Sequence, residues 1–263
     1  MEGQRRVVVQ CATGPESYAA LADTPIAQLQ HEGIGAALAI LGSAFMIHGI
    51  LDVPKSYVQG IIDHTHCAGG LFVAGEVQSG FGRMGSHMRR HQRHGVVPDF
   101  VTIGKPAGNG YPVGAIITRR EILTRFVEQT GPFCSTFGGG NAVCAAGLAV
   151  ICVMRREGLM ANAETTGAYF RKKLNELMQH HDINGDIRGA GLALGIELVA
   201  DRNKKLPARA EAKRVLDLTW EDGVLIGSDG KLGHVLKLRP PLVFRPENDD
   251  QAVAALGRAL KKL

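Results

Sequence analysis

The sequence predicts an α/β protein in two parts: part of a mostly parallel sheet domain over 1–155, then a small α+β domain over 156–263. Three observations carry this. Short, mostly apolar runs at 71–74, 100–103 and 113–118 follow helix-spaced or turn-forming residues, the pattern of strands in a sheet covered on both faces. Glycine makes up 34 of the 263 residues while aromatics reach only 5%, which suits an aliphatic core joined by tight connections. Beyond Gly158 the pattern turns to amphipathic helices interleaved with strands.

Residues 16–43 read as a weakly amphipathic helix broken by Pro25, Gly33 and Gly35, running into the apolar segment 34–50. After Pro54, the spacing of Tyr57, Val58, Ile61, Ile62 and His66 predicts a helix that Gly69 and Gly70 close before the strand 71–74. The turn Pro98-Asp99 introduces the strand 100–103, and 113–118 forms a third. A helix from about Asn141 through Met154 is Ala-rich and apolar on most sides, so burial is expected. In the C-terminal part, Phe170, Leu174 and Leu177 share a helical face. Residues 187–199 are strand-like, with an interruption at Gly189-Ala190-Gly191. Ala212, Val215, Leu216 and Thr219 mark another helix; Val235, Leu236 and Leu238 a strand; Val253, Leu256 and Leu260 a closing helix.

A net charge of +5 and a pI near 9.0 invite a nucleic-acid reading, but Lys and Arg are spread among Asp and Glu rather than clustered, so no nucleic-acid partner is expected. Five cysteines, Cys11, Cys67, Cys134, Cys144 and Cys152, are odd in number and lack CxxC spacing, which indicates reduced thiols rather than disulfides or a metal site. No apolar run approaches the roughly 20 residues of a membrane helix, and the start MEGQRRVVVQ reads as neither a signal peptide nor a transit sequence. A cytoplasmic protein without membrane partners is expected.

Lys105 lies immediately beyond the strand 100–103, between Gly104 and Pro106, with Gly108-Asn109-Gly110 behind it. Ligands of open α/β sheets gather at the carboxyl ends of strands. A lysine desolvated there becomes a neutral amine able to attack a carbonyl. Read on this segment alone, a solvated lysine is the simpler account, and the surrounding blocks reverse it.

VAGEVQSGFGR (73–83), VVPDFVTIGKPAGNGYPVGAIIT (96–118) and STFGGG (135–140) resemble, in order and gaps, the active-site blocks of class III aminotransferases, enzymes of fold type I that use pyridoxal 5′-phosphate (PLP). RGAGLALGIEL (188–198) and VLKLRPPLVF (235–244) resemble that family's C-terminal-domain blocks, so the similarity runs from about Ala44 to Leu263. Within the family the chain looks most like the branch holding ethanolamine-phosphate phospho-lyase and the alanine–glyoxylate aminotransferase-like proteins. The resemblance implies that Lys105 carries PLP as a Schiff base and that Gln78 bonds the ring oxygen. It implies that Ser135 and Thr136 serve the phosphate, and that Arg239 binds the substrate carboxylate with its guanidinium fork. In the family the threonine serves the partner subunit's cofactor, which implies a homodimer. The activity implied is amino transfer between an amine or amino acid and a 2-oxo acid, or elimination of phosphate from a phosphorylated amine.

The chain departs from the family in four places. Gly75 stands where the family has an aspartate that keeps the pyridine nitrogen protonated. Losing such a charge-assisted bond, worth about 1.5–3 kcal/mol, predicts roughly 10- to 100-fold slower chemistry. Gly42 falls on a second acidic position. The segment 87–94, HMRRHQRH, is expected to be a solvated basic patch rather than a packed helix. The family's phosphate-binding loop and ring-stacking aromatic belong to segments upstream, so the chain is expected to be N-terminally truncated. A catalytically impaired fragment is therefore the alternative to an active enzyme. A nucleotide-binding domain is disfavoured, because Gly138-Gly139-Gly140 lacks the full phosphate-loop pattern.

Overall fold

The structure, a computed structural model, describes residues 15–263, with side chains from Tyr18 onward. By contacts the chain forms two compact units that interleave along the sequence. The first holds the residues through Ser43, Val53–Val77 and His91–Ala145; the second holds Ala44–Asp52, Gln78–Arg90 and Ala146–Leu263. The expected division into 1–155 and 156–263 is a single cut; the contacts assign two loops from the first half of the chain to the second unit.

In the first unit, α1 (Pro15–Ala20) and α2 (Asp23–His31) precede β1 (Leu38–Gly42), where the sequence reading had only an apolar segment. Helix α3 (Lys55–Cys67) starts after extended Pro54 and buries Val58, Ile61, Ile62 and Thr65. This stripe packs with Phe72, Ala74 and Val101 into one apolar cluster. Strand β2 (Leu71–Gly75) pairs parallel with β1, and β1–α3–β2 forms a crossover unit. After the short α4 (Arg90–Arg93), β3 (Phe100–Ile103) adds parallel to β2, and β4 (Ala115–Thr118) adds antiparallel to β3. Helix α5 (Arg120–Thr130) follows and buries no residue.

Asp99 ties this sheet together at the amino end of β3. It is 3% exposed, accepts the Phe72 N–H at 2.8 Å, lies 2.7 Å from His66 Nε2 and pairs with Arg119. It therefore does more than the turn expected at Pro98-Asp99. Burial acts against its charge, but the Phe72, His66 and Arg119 bonds prevail and hold its carboxyl below the usual carboxylate range.

Two expectations of burial fail. Strands β1 and β4 are not covered on both faces: Leu38 is 54% exposed, Ile40 65% and Ile116 68%. Helix α6 (Asn141–Arg156), expected in the core, buries only Met154 and leaves Leu148 exposed. Apolar character records what a segment prefers to cover, and among the described residues nothing covers these faces.

The second unit is antiparallel. Helix α7 (Leu159–Met178) leads into β5 (Asn184–Ala190) and β6 (Ala193–Asp201), a hairpin turning at Gly191-Leu192. The interrupted strand read over 187–199 is thus two strands. Gly191, at φ +53°, is required: a Cβ there would lie 2.6 Å from the Arg83 carbonyl oxygen. Then come β7 (Leu206–Pro207), α8 (Arg209–Glu221), β8 (Gly227–Asp229), β9 (Val235–Leu238) and α9 (Pro246–Leu260). The sheet order is β5-β6-β9-β8, with β7 on β6. Phe170, Leu174, Val215, Leu218 and Leu256 from the three helices close over Leu194, Ile196 and Leu198 of β6.

Asp249, in the first turns of α9, is fully buried, and neither carboxylate oxygen has a hydrogen-bond partner among the described residues. Burial and the neighbouring Asp250 push its carboxyl up to about 7. A folded pKa raised above the unfolded one destabilises the fold as pH climbs from about 4 through 7. Asp249→Asn should raise the urea midpoint at pH 8 and change it little at pH 4. Asp99 carries the opposite sign, its contribution being present above pH 4 and lost as pH falls through its lowered folded value. Asp99→Asn should lower the midpoint at pH 7, with the deficit shrinking as pH approaches 3.

Candidate active site

Lys105 opens a 3-10 turn, Lys105–Ala107, directly beyond β3. Gly104 is extended and Lys105 takes the left-handed conformation at φ +36°. A non-glycine residue held there costs on the order of 1–3 kcal/mol, and such strain concentrates at functional positions. The Ala107 N–H donates to the Gly104 carbonyl at 3.0 Å, and the Tyr111 N–H to that of Gly108 at 3.0 Å. Gly108 makes the close approach expected of it, since a Cβ there would stand 2.1 Å from the Tyr111 oxygen. The lysine side chain is exposed.

Ser135 and Thr136 are exposed in the loop before α6, in the same unit as Lys105. The Gly138 N–H donates to Ser135 Oγ at 3.0 Å, which fixes the loop and leaves the hydroxyl proton available. Thr136 lies five positions ahead of the first helical residue, Asn141, so it is not the helix cap itself.

Gln78 and Arg239 come together in the second unit: Arg239 Nη1 donates to Gln78 Oε1 at 2.8 Å. The Gln78 carbonyl is therefore engaged, and its amide N–H groups remain as donors. The sequence reading assigned nothing to Arg83, the last residue of GFGR. Its guanidinium donates to the Pro240 carbonyl and, at 3.2 Å, to that of Leu192, fastening the loop that carries Gln78 beside the end of β9. Burial, and then repulsion from Arg239, lower its pKa to about 10. The arginine closing a glycine-rich loop was the available signal, but the carbonyls it serves are more than 100 residues away in sequence.

The expected basic patch is half packed. Arg90 has a side chain 2% exposed and meets Asp52 at 2.7 Å. The His91 N–H donates to Glu76 Oε1 at 2.7 Å, with the ring Nδ1 at 3.1 Å. His94 is buried, whereas His87, Gln92 and Arg93 are exposed. Acids outside the segment, buried Glu76 and exposed Asp52, which the composition of 87–94 alone does not reveal, make this packing feasible.

The donor set fits PLP at two points of three. An amine at a strained strand end suits the aldehyde, and hydroxyls ahead of a helix suit the phosphate. The ring nitrogen has no matching side chain at positions 42 and 75, both glycine. Among the described residues no group of His, Cys, Asp and Glu is arranged to hold a metal. The four described cysteines are free, while Cys11 lies outside the described residues. Among those residues no helix is long and apolar enough to cross a membrane.

Residues 39–260 match the family described as Aminotransferase class-III. The chain is 42% identical over 217 residues to alanine–glyoxylate aminotransferase 2 homolog 2, mitochondrial, of Arabidopsis thaliana, covering 82% of this chain and 45% of that one. It is 40% identical over 210 residues to ethanolamine-phosphate phospho-lyase homolog 1 of Caenorhabditis elegans, covering 79% and 45%. Among solved structures, an Arthrobacter phospholyase in complex with phosphoethanolamine superposes with TM-score 0.89 at 41% identity, covering 93% of this chain and 58% of the other. The chain thus spans about half the length of the curated relatives it matches.

Arg83→Lys keeps the charge and loses the fork. It should destabilise the second unit by about 2 kcal/mol, seen as a melting point lower by about 4–8 °C. An unchanged melting point would remove the fastening role from Arg83.

Proposed function

The chain belongs to the class-III aminotransferase family, and from that premise we propose that it moves an amino group between an amine or amino acid and a 2-oxo acid, with PLP held through Lys105. The observation that carries this is the position of Lys105, held in a left-handed conformation directly beyond the carboxyl end of β3. PLP, when bound, supplies a reactive aldehyde and a ring that withdraws electrons from the substrate carbon.

The chain's own residues have separate tasks. The Lys105 amine holds the aldehyde and, when released, moves a proton at the substrate carbon. Ser135 and Thr136 donate hydroxyl protons to the phosphate in the site of the other subunit of the proposed homodimer. The amide of Gln78 donates to the ring oxygen, while its carbonyl orients Arg239. Arg239 takes the substrate carboxylate with the guanidinium edge that Gln78 leaves open.

A second reading, elimination of phosphate from a phosphorylated amine, is supported by the likeness to the Arthrobacter phospholyase. The two reactions separate by product. Purified protein with PLP is incubated with amine donors plus a 2-oxo acid, and separately with phosphoethanolamine. The proposal expects a new amino acid in the first reaction and Lys105→Ala without it; inorganic phosphate in the second alone selects the lyase. Neither product leaves the impaired chain as the reading, which the glycines at 42 and 75 support.

The proposed assembly is a homodimer, with no nucleic-acid or membrane partner. Exposed Phe133 (74%) and Phe137 (89%), flanking Ser135 and Thr136, support a partner surface at that loop. Sedimentation should give twice the 28.1 kDa chain mass, and Phe137→Asp should shift it to one. A cytoplasmic location is proposed on the free thiols; the Arabidopsis relative is named mitochondrial.

A further inference from the structure

Gly42 and Gly75 are register partners, the last residues of two adjacent parallel strands, and Gly75 pairs in turn with Thr102. Residues in register share a face of the sheet. The two positions at which the chain departs from the family's acids are therefore one place in the fold, at the same end of the sheet as Lys105. A Cβ at Gly42 would meet nothing within 4 Å. At Gly75 it would lie 3.2 Å from the Leu41 oxygen.

Among the described residues at this end of the strands, no carboxylate replaces the missing ones. Of the two residues that follow each of β1, β2 and β3, the only acid is Glu76. That side chain is fully buried and engaged with the backbone and ring of His91. Asp99 belongs to the opposite end of β3, where Phe72, His66 and Arg119 hold it.

We propose that the Gly42–Gly75 row makes this a site for an aromatic aldehyde whose ring nitrogen is left unpaired and unprotonated, so that affinity resides in the aldehyde, ring-oxygen and phosphate contacts. This rests on the role proposed for Lys105. Condensation there forms a C=N bond between the lysine nitrogen and the aldehyde carbon and releases one water. Nothing in it requires a charge on the ring.

The test compares PLP with its 1-deaza analogue, in which a C–H replaces the pyridine nitrogen, by equilibrium dialysis at pH 7.5. Lys105-dependent, borohydride-stable adducts are checked for each. The wild-type chain should bind both within about twofold. Gly75→Asp, which needs a small movement of Leu41, or Gly42→Asp, which meets nothing, should then favour PLP by about 10- to 100-fold, the range of one charge-assisted hydrogen bond. A wild-type preference for PLP of tenfold or more overturns the inference, because an acid elsewhere then serves the nitrogen. Parity in both folded variants overturns the assignment to this row. No Lys105 adduct with either compound overturns the aldehyde role, and this inference with it, and is recognisable as that separate failure.

Discussion

The register of β3 against β2 decides where the reactive amine stands. Val73 faces Phe100 and Gly75 faces Thr102, so β3 continues one residue past the last pair before Gly104 turns the chain and presents Lys105. Asp99 pins that register from the other end by accepting the Phe72 N–H from the neighbouring strand while holding His66 of α3 and Arg119 beyond β4. A slip of one residue would break those bonds and turn the side chains of β3 to the other face of the sheet. Parallel pairing, a buried acid at one end and a strained lysine at the other therefore form a single arrangement.

The second unit solves a different problem. Its antiparallel sheet and three helices bury a core of their own, and it also receives two loops that belong by sequence to the first half of the chain. The long arginines hold backbone carbonyls distant in sequence: Arg188 Nε reaches the Gly49 oxygen at 2.8 Å, and Arg83 reaches the Leu192 oxygen at 3.2 Å. Glu197 completes this by pairing with Arg188 and with His234 at 3.1 Å. Although burial opposes its charge, these partners keep its carboxyl below its usual range. The loop carrying Gln78 is thereby fixed next to Arg239, where a glutamine carbonyl orders a guanidinium.

Much of this was legible in the sequence wherever one physical cause acted alone. The stripe Val58, Ile61, Ile62 gave α3, and the run 100–103 gave β3 to the residue. The blocks around Lys105, Gln78 and Arg239 identified the family. What escaped needed partners distant in sequence. The hairpin β5–β6 read as one broken strand because its turn is only two residues and the polar start of β5, Asn184 to Asp186, hid the first arm. HMRRHQRH looked solvated because Glu76 and Asp52 lie outside it. Helix α6 looked buried because its alanines and valines are apolar on most sides, which says nothing of what covers them. That Gly42 and Gly75 are neighbours could not be read from two positions 33 residues apart; it took the strand register to join them.

The central claim is that one lysine, set by that register, is chemically distinct from the others. Its most direct test is a peptide map, by mass spectrometry, of the folded protein reduced with borohydride in the presence of a small excess of PLP. The account predicts a pyridoxyl-phosphate mass on the peptide containing Lys105 and on no other. Label spread over the exposed lysines, with Lys105 no more modified than the rest, would contradict it.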